Sequence, residues 1–277
     1  MPIELPNDLL KLLARALPRL SKRQLSPLAR DLVGVFWALR TAVLIDTVML
    51  DEGDAQSLAT AFGESAEYPH LIVIHEAVSS QTLVVNALLL PERAKRLTAF
   101  VEVGGKTPRL VRSAHPDIYL LVLTLLPLQL PQPPASFTAL LKTVSSHSAD
   151  SSFLSLSLTA QSSPLALIPF VGYLLDYAAV YCLDESTDGR NCLGGVELVL
   201  CEGFLNKSGD RHRLLSFSYP AFLADDESTL AVDLVRQTLL STLRNRLRQA
   251  QSDHVHLAAV KVEVDVRGGV VLDQVAL

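Results

Sequence analysis

The sequence predicts an α+β fold, with mixed α/β as its variant: one or two mixed or antiparallel sheets packed by a few helices. Three observations carry this. Val232, Val235, Leu239, Leu243, Leu247 and Ala250 step by three and four, the spacing of one helical face. Arg213–Tyr219 and 260–267 alternate apolar with polar residues, the period of a half-buried strand. Short β-branched runs such as TAVLIDTVML (41–50) are too brief for another long helix and read as buried strands.

The elements follow in order. Residues 8–17 predict a short leucine-rich helix. Ser26-Pro27 predicts a helix start, because serine caps and proline fits the first helical position; Leu28, Leu32, Val35 and Leu39 carry that helix to about Arg40. A strand follows at 41–50, then a short helix from Asp51 ended by Gly63. Residues 71–74 and 82–85 read as antiparallel strands joined through Ser79-Ser80. Pro91 opens a helical turn, and Val101–Val103 ends a strand. Residues 118–128 form another apolar strand, stopped by Pro127, Pro131, Pro133 and Pro134. A helix follows at 135–144, and 153–158 alternates leucine with serine as a strand. The stretch 164–205 is long, nearly uncharged and tyrosine-rich, which places it mid-core. Asp225, Asp226 and Glu227 open the longest helix, at the end where negative charge is favourable, and Arg244, Arg246 and Arg248 close it. The chain ends in a predicted C-terminal β-hairpin: Val260, Val262, Val264 and Val266 share a face, Gly268-Gly269 turns, and Val266 faces Val271. Residues 1–277 read as one globular domain. Two lobes, 1–145 and 153–277, are the alternative, joined by the serine-rich loop at 145–152.

Apolar residues make up 49% of the chain and charged residues 19%, a packed composition and not a disordered one. The net charge of −5 offers no long-range positive field, so no nucleic-acid role is expected. Three cysteines, Cys182, Cys192 and Cys201, have no CxxC spacing and an odd count. They predict reduced thiols in a cytoplasmic or nuclear protein. The N-terminus has no secretory pattern. The segment 164–183 approaches membrane-spanning length, but Pro169, Gly172, Asp176 and three tyrosines suit a buried segment better.

No motif reaches the level of a catalytic, cofactor or metal assignment, and none is predicted. FVEVGGKT (100–107) ends like a phosphate-binding loop but has Phe100 where glycine is required. His75-Glu76 lacks the second histidine of HExxH, since Ser79 stands there. His254 and His256 share an extended face without further ligands. Cys192, before Leu193-Gly194-Gly195, is the best-placed thiol, with a buried structural thiol as the plainer reading. Asp46, inside an apolar run, is the candidate buried carboxylate; a strand-end cap is the plainer reading.

The pattern Gly172-Tyr173-Leu174-Leu175 with Tyr177 and Tyr181, then Asn191-Cys192-Leu193, resembles a small uncharacterised eukaryotic family. Its vertebrate member is named only as an open-reading-frame product of chromosome one. TAVLIDT, the strand ending at Pro220, the long helix and the apolar Val275-Ala276-Leu277 match it too. The chain departs at Ala178, where the family has a proline. The resemblance implies a domain of unknown function and no activity. Because no site is visible, the pI is acidic and the chain is unusually hydrophobic, the expectation is a non-enzymatic interaction or scaffold protein with an unknown protein partner. The alternative is an enzyme of unrecognised class using a cleft near Cys192 or Asp46.

Overall fold

The computed structural model describes residues 5–96, 98–103, 109–111, 114–115, 118–119, 135–147, 151–159, 162–183, 193, 195–224 and 230–271. Its architecture is α+β, as predicted. The N-terminal part holds α1 (Asn7–Ala16), α2 (Lys22–Phe36), β1 (Ala42–Ile45), α3 (Glu52–Gly63), β2 (Leu71–Glu76), β3 (Gln81–Asn86) and α4 (Leu90–Ala94). Then come β4 (Ala99–Val103), β5 (Arg109–Val111), β6 (Ala114–His115), β7 (Ile118–Tyr119), α5 (Ala135–Ser145) and β8 (Phe153–Leu156). The remainder is α6 (Ser162–Leu174), β9 (Ala179–Leu183), β10 (Glu197–Lys207), β11 (Asp210–Pro220), α7 (Val232–Asp253) and β12 (Lys261–Val271).

The first sheet has the order β1-β3-β2-β8, antiparallel except for the parallel β2–β8 pair. Strands β1, β2 and β3 carry near-continuous apolar runs because both faces are covered. Val43, Ile45, Val73 and Val84 pack on α1, α2 and α3. Ala42, Ile72, Ile74, Leu83 and Val85 pack on α5 and α6 from the opposite side. A second sheet, β5-β4-β9, pairs β4 parallel to β9, and β6 pairs with β7. The third sheet, β11-β10-β12, is antiparallel throughout. Helix α7 covers it, with Leu239, Leu243 and Leu247 against Val262, Val264 and Leu205. Each such aliphatic burial is worth about 1.5–3 kcal/mol. Gly203 on β10 makes room for α7: a Cβ there would lie 3.1 Å from Leu243 Cδ1 and 3.3 Å from Leu215 Cγ.

Several boundaries differ from expectation for definite reasons. Helix α2 begins at Lys22, because the Ser21 N–H donates to Gln24 Oε1 at 3.1 Å; Pro27 sits inside the helix and does not start it. The strand expected over 41–50 stops at Ile45. Helix α7 starts at Val232; Asp225, Asp226 and Glu227, expected to open it, lie outside the described residues. The antiparallel C-terminal sheet is present, and its hairpin is β10–β11, turning at Ser208-Gly209, where both residues have positive φ (54° and 89°). Gly268-Gly269 does not reverse the chain. Strand β12 runs through it, and Val270 and Val271 pair with Leu198 and Glu197. The register slips between Leu198 and Leu200 opposite the glycines, and Gly269 has φ +72°. A glycine pair serves a bulge as readily as a turn, because both need positive φ. A hairpin turning at these glycines would set Val262 opposite Val275 and Val260 opposite Leu277, and both of those partners lie outside the described residues.

Candidate functional site

Charge embedded among apolar residues locates the site. Asp176 follows α6 with φ +67°, a left-handed conformation that aspartate tolerates better than most residues. The Tyr177 N–H reaches back to Gly172 O at 3.2 Å, closing the helix and turning the chain into β9. This turn points the Asp176 carboxylate inward, where its side chain is 1% exposed.

Four segments converge on it. Thr41, at the start of β1, donates its N–H to Oδ2 and its hydroxyl to Oδ1, both at 2.8 Å. Arg246 of α7 donates from Nη1 to Oδ2 at 2.8 Å. Arg96, just past α4, donates to Oδ1, and Arg93 Nε stands 3.7 Å from it. Arg246 also donates to Leu39 O at 3.0 Å and to Thr41 Oγ1 at 3.2 Å, and pairs with Glu92 at 3.0 Å. Arg93 donates to Tyr173 O at 2.7 Å and lies 4.0 Å over the Tyr173 ring, a cation–π contact.

Desolvation alone would raise the Asp176 carboxyl. The guanidiniums of Arg96, Arg246 and Arg93 outweigh it and hold the group well below the usual carboxylate range. Arg93 is pushed down to about 10 by burial and by its neighbour Arg96. Burial acts to lower Arg246 as well, but Asp176 and Glu92 prevail and raise it. The residues are therefore ionised and ion-paired, which leaves Asp176 unable to take up a proton near neutrality.

Two cavities flank this cluster, with Tyr177 in the wall of both. The first, about 290 Å³, runs from Arg93, Arg96 and Asp176 past the stacked Tyr177–Phe217 pair (centroids 5.2 Å apart) to Leu234 and Thr238 of α7. Leu234 stands 46% exposed. The second, about 230 Å³, is bordered by Asp31, Arg40, Asp46, His212 and Arg213.

A family model matches residues 11–271, almost the whole chain. The chain belongs to the family described as Domain of unknown function (DUF4504). This bears out the expectation that a domain of unknown function covers much of the sequence. No curated protein and no solved structure matches the chain.

The residues singled out from the DUF4504 sequence alone fare differently. Asp46 is exposed, just beyond β1, and not the buried carboxylate expected of it; an apolar run that leaves the sheet at Ile45 carries Asp46 out with it. It borders the second cavity. Cys192 lies outside the described residues, as do 104–107 of the phosphate-loop-like stretch; Phe100 is core. Cys182 and Cys201 are buried thiols, and burial pushes Cys201 up to about 12, far from a nucleophile's range. His75 is buried with Nδ1 3.0 Å from Thr82 Oγ1. His254 is half-buried, and the side chain of His256 lies outside the described set. Among the described residues no group of three His, Cys, Asp or Glu could hold a metal, and no helix is long and apolar enough to cross a membrane.

Thr41, Arg93, Arg96, Asp176 and Arg246 were not singled out as site residues. Two signals were available. Asp176 is the one charge in 164–183. Arg246 stands three residues after Leu243 and four before Ala250, on the buried stripe of α7, and not among its solvated arginines.

Proposed function

We propose that this chain is a non-enzymatic interaction protein whose first cavity receives an apolar segment of a partner protein carrying an acidic group. The supporting observation is the cavity's make-up. Its walls are Tyr177, Phe217, Leu234, Val235 and Leu239, and its floor has Arg93 and Arg96. Beneath it, three guanidiniums (Arg93, Arg96, Arg246) face two carboxylates (Asp176, Glu92), an excess of one positive charge. An apolar group enters such a cleft by the hydrophobic effect, and an adjacent carboxylate matches the surplus charge. The alternative enzyme, using Cys192 or Asp46, gains less support: the groups that converge are neutralised pairs and lack a free base beside a nucleophile. A eukaryotic origin and a cytoplasmic or nuclear location belong to this same proposal.

The test is peptide display against the purified chain, beside a Thr238→Trp variant that fills the cleft. The expected result is enrichment of peptides with a large apolar residue next to Asp or Glu, and an affinity for the folded variant lower by at least about tenfold. Enriched peptides that bind the variant equally well, or no enrichment, overturn the proposal.

A further inference from the structure

The third sheet uses one side of its last strand. In the order β11-β10-β12, β12 pairs with β10, and among the described residues no strand pairs with its other side. Alternate residues of such an edge turn their N–H and C=O groups outward, a ready template for another strand. Along the start of this edge runs a groove of about 420 Å³ between α7 and β12. Val262 points from β12 into the core under α7. Its neighbour Glu263 points to the opposite face, where it meets Asn206 and Arg211. Both border the groove, so it follows the open edge of the strand and not one face of the sheet.

The fold sets its walls firmly. Arg244, Leu247, Arg248 and Gln251 stand three and four apart on α7 and form one helical face beside the strand. Gln251 donates from Nε2 to Leu257 O at 2.9 Å and to Val260 O at 3.2 Å. That side chain ties the turn after α7 back to the helix and fixes where β12 begins. Leu247, Val260 and Val262 are buried and give the groove an apolar floor. Arg244, Arg248 and Lys261 are exposed at its rim, and among the described residues none of the three pairs with a carboxylate. The acidic residue of the groove, Glu263, is already matched: Arg211 stands 3.1 Å from it and Asn206 donates to it at 2.7 Å. On a chain of net charge −5, three unmatched cations beside an open strand are a local reversal of sign.

We propose that this edge receives an extended acidic segment of a partner protein, which adds to the sheet beside β12 and sets its carboxylates on Arg244, Arg248 and Lys261. The main chain of the segment supplies affinity through the outward groups of β12, and the cations select its sequence. A second copy of the same edge would set these cations against themselves. A single-stranded nucleic acid would find cations for its phosphates but no aromatic ring among the residues of the groove on which to stack a base. None of these residues lines the Tyr177 cleft, so the edge stands apart from the function proposed for that cleft.

The experiment is titration calorimetry of the full chain with three probes: the acetylated, amidated peptide Val-Glu-Val-Glu-Val-Glu, its counterpart with lysine for glutamate, and oligothymidylate. Amide hydrogen exchange is then measured with and without the acidic peptide. Saturable binding of the acidic peptide is expected, with the lysine peptide weaker by at least about tenfold. The double variant Arg244→Glu, Arg248→Glu should weaken the acidic peptide by at least about tenfold as well. Amides of 261–264 that face away from β10 should exchange at least about tenfold more slowly in the complex. No saturable binding up to about 1 mM, equal binding of the lysine peptide, or binding that leaves the β12 amides unprotected overturns the proposal. Oligothymidylate that binds as tightly as the acidic peptide, or more tightly, overturns it too and gives the groove to nucleic acid. Should the double variant fail to fold, the probe comparison and the exchange pattern on the unaltered chain decide by themselves.

Discussion

Two buried carboxylates in this molecule are stabilised by opposite means. Asp176 is caged by charge: three guanidiniums and Thr41, drawn from segments far apart in sequence. Glu76, at the end of β2 and fully buried, is caged by uncharged donors, most of them within three residues of it. It accepts from Val78 N at 3.1 Å, Ser79 N at 2.7 Å, Ser79 Oγ at 2.6 Å and Leu158 N at 3.2 Å. Desolvation opposes ionisation at both, and both end below the ordinary carboxylate value. The difference lies in what is stranded when the carboxylate is lost. At Glu76 a few N–H groups lose an acceptor. At Asp176 buried cations lose their counter-ion, and uncompensated buried charge is the costlier defect.

The largest effect is therefore expected from Asp176→Asn. Asparagine keeps the shape and tolerates the same positive φ, so the loss is electrostatic. Stability should fall by roughly 3–5 kcal/mol, a drop in Tm of about 6–20 °C in thermal unfolding. A drop of only a degree or two means the arginines find other partners, and the comparison fails. Glu76→Gln should cost about 1.5–3 kcal/mol by denaturant titration, since it turns charge-assisted bonds into neutral ones. If it costs more than Asp176→Asn, the ranking is inverted and local donors matter more than ion pairs.

Acid unfolding sharpens the contrast further. Both folded-state values lie below the unfolded ones, so each carboxylate contributes stability above its unfolded pKa and loses it as pH falls through the folded one. The ordinary values are 3.8 for aspartate and 4.5 for glutamate. Asp176 is held the lower of the two, so its loss persists deeper into acid. Below about pH 4 it should contribute a slope of roughly 1.4 kcal/mol per pH unit, absent in Asp176→Asn. Urea midpoints measured between about pH 6 and pH 2 would show it; equal slopes in the two proteins would remove Asp176 from the account. The smallest effect belongs to an exposed pair. Arg15 and Glu64 lie 3.5 Å apart with side chains 65% and 64% exposed. Arg15→Ala should change stability by less than about 1 kcal/mol, and a larger loss by thermal melt would show that α1 depends on this contact.

The same contrast explains what could be read from sequence. The elements whose signal is local were legible: the strands read at 71–74 and 82–85, α3 with its end at Gly63, and the apolar stripe of α7. Glu76 lies next to two of its partners in sequence, Val78 and Ser79, but HE followed by Ser79 was weighed only as a failed metal motif; its fit to a local turn of donors went unread. The Asp176 cluster was not legible as a cluster. Its bonds span 80 residues to Arg96, 70 to Arg246 and 135 to Thr41, and no spacing rule links positions so far apart. What sequence does offer is a charge in the wrong place, and Asp176 and Arg246 both had that mark. The Gly268-Gly269 pair misled for a different reason: its backbone freedom is compatible with a turn or a bulge, and the pairing of β12 along β10 decided between them.

The long span of the Asp176 cluster bears on how the protein is made. Thr41 and Arg246, which share a hydrogen bond, are 205 residues apart. A ribosome adding about 5–20 residues per second takes roughly 10–40 s to travel that distance. Arg93 and Arg96 are made well before Asp176 and Arg246, and until Asp176 emerges they lack the carboxylate at the centre of the cluster. The first sheet, too, waits for β8. The nascent chain thus carries an open, half-neutralised interior until α7 is made, and folding helpers meet it before this helix closes the lock.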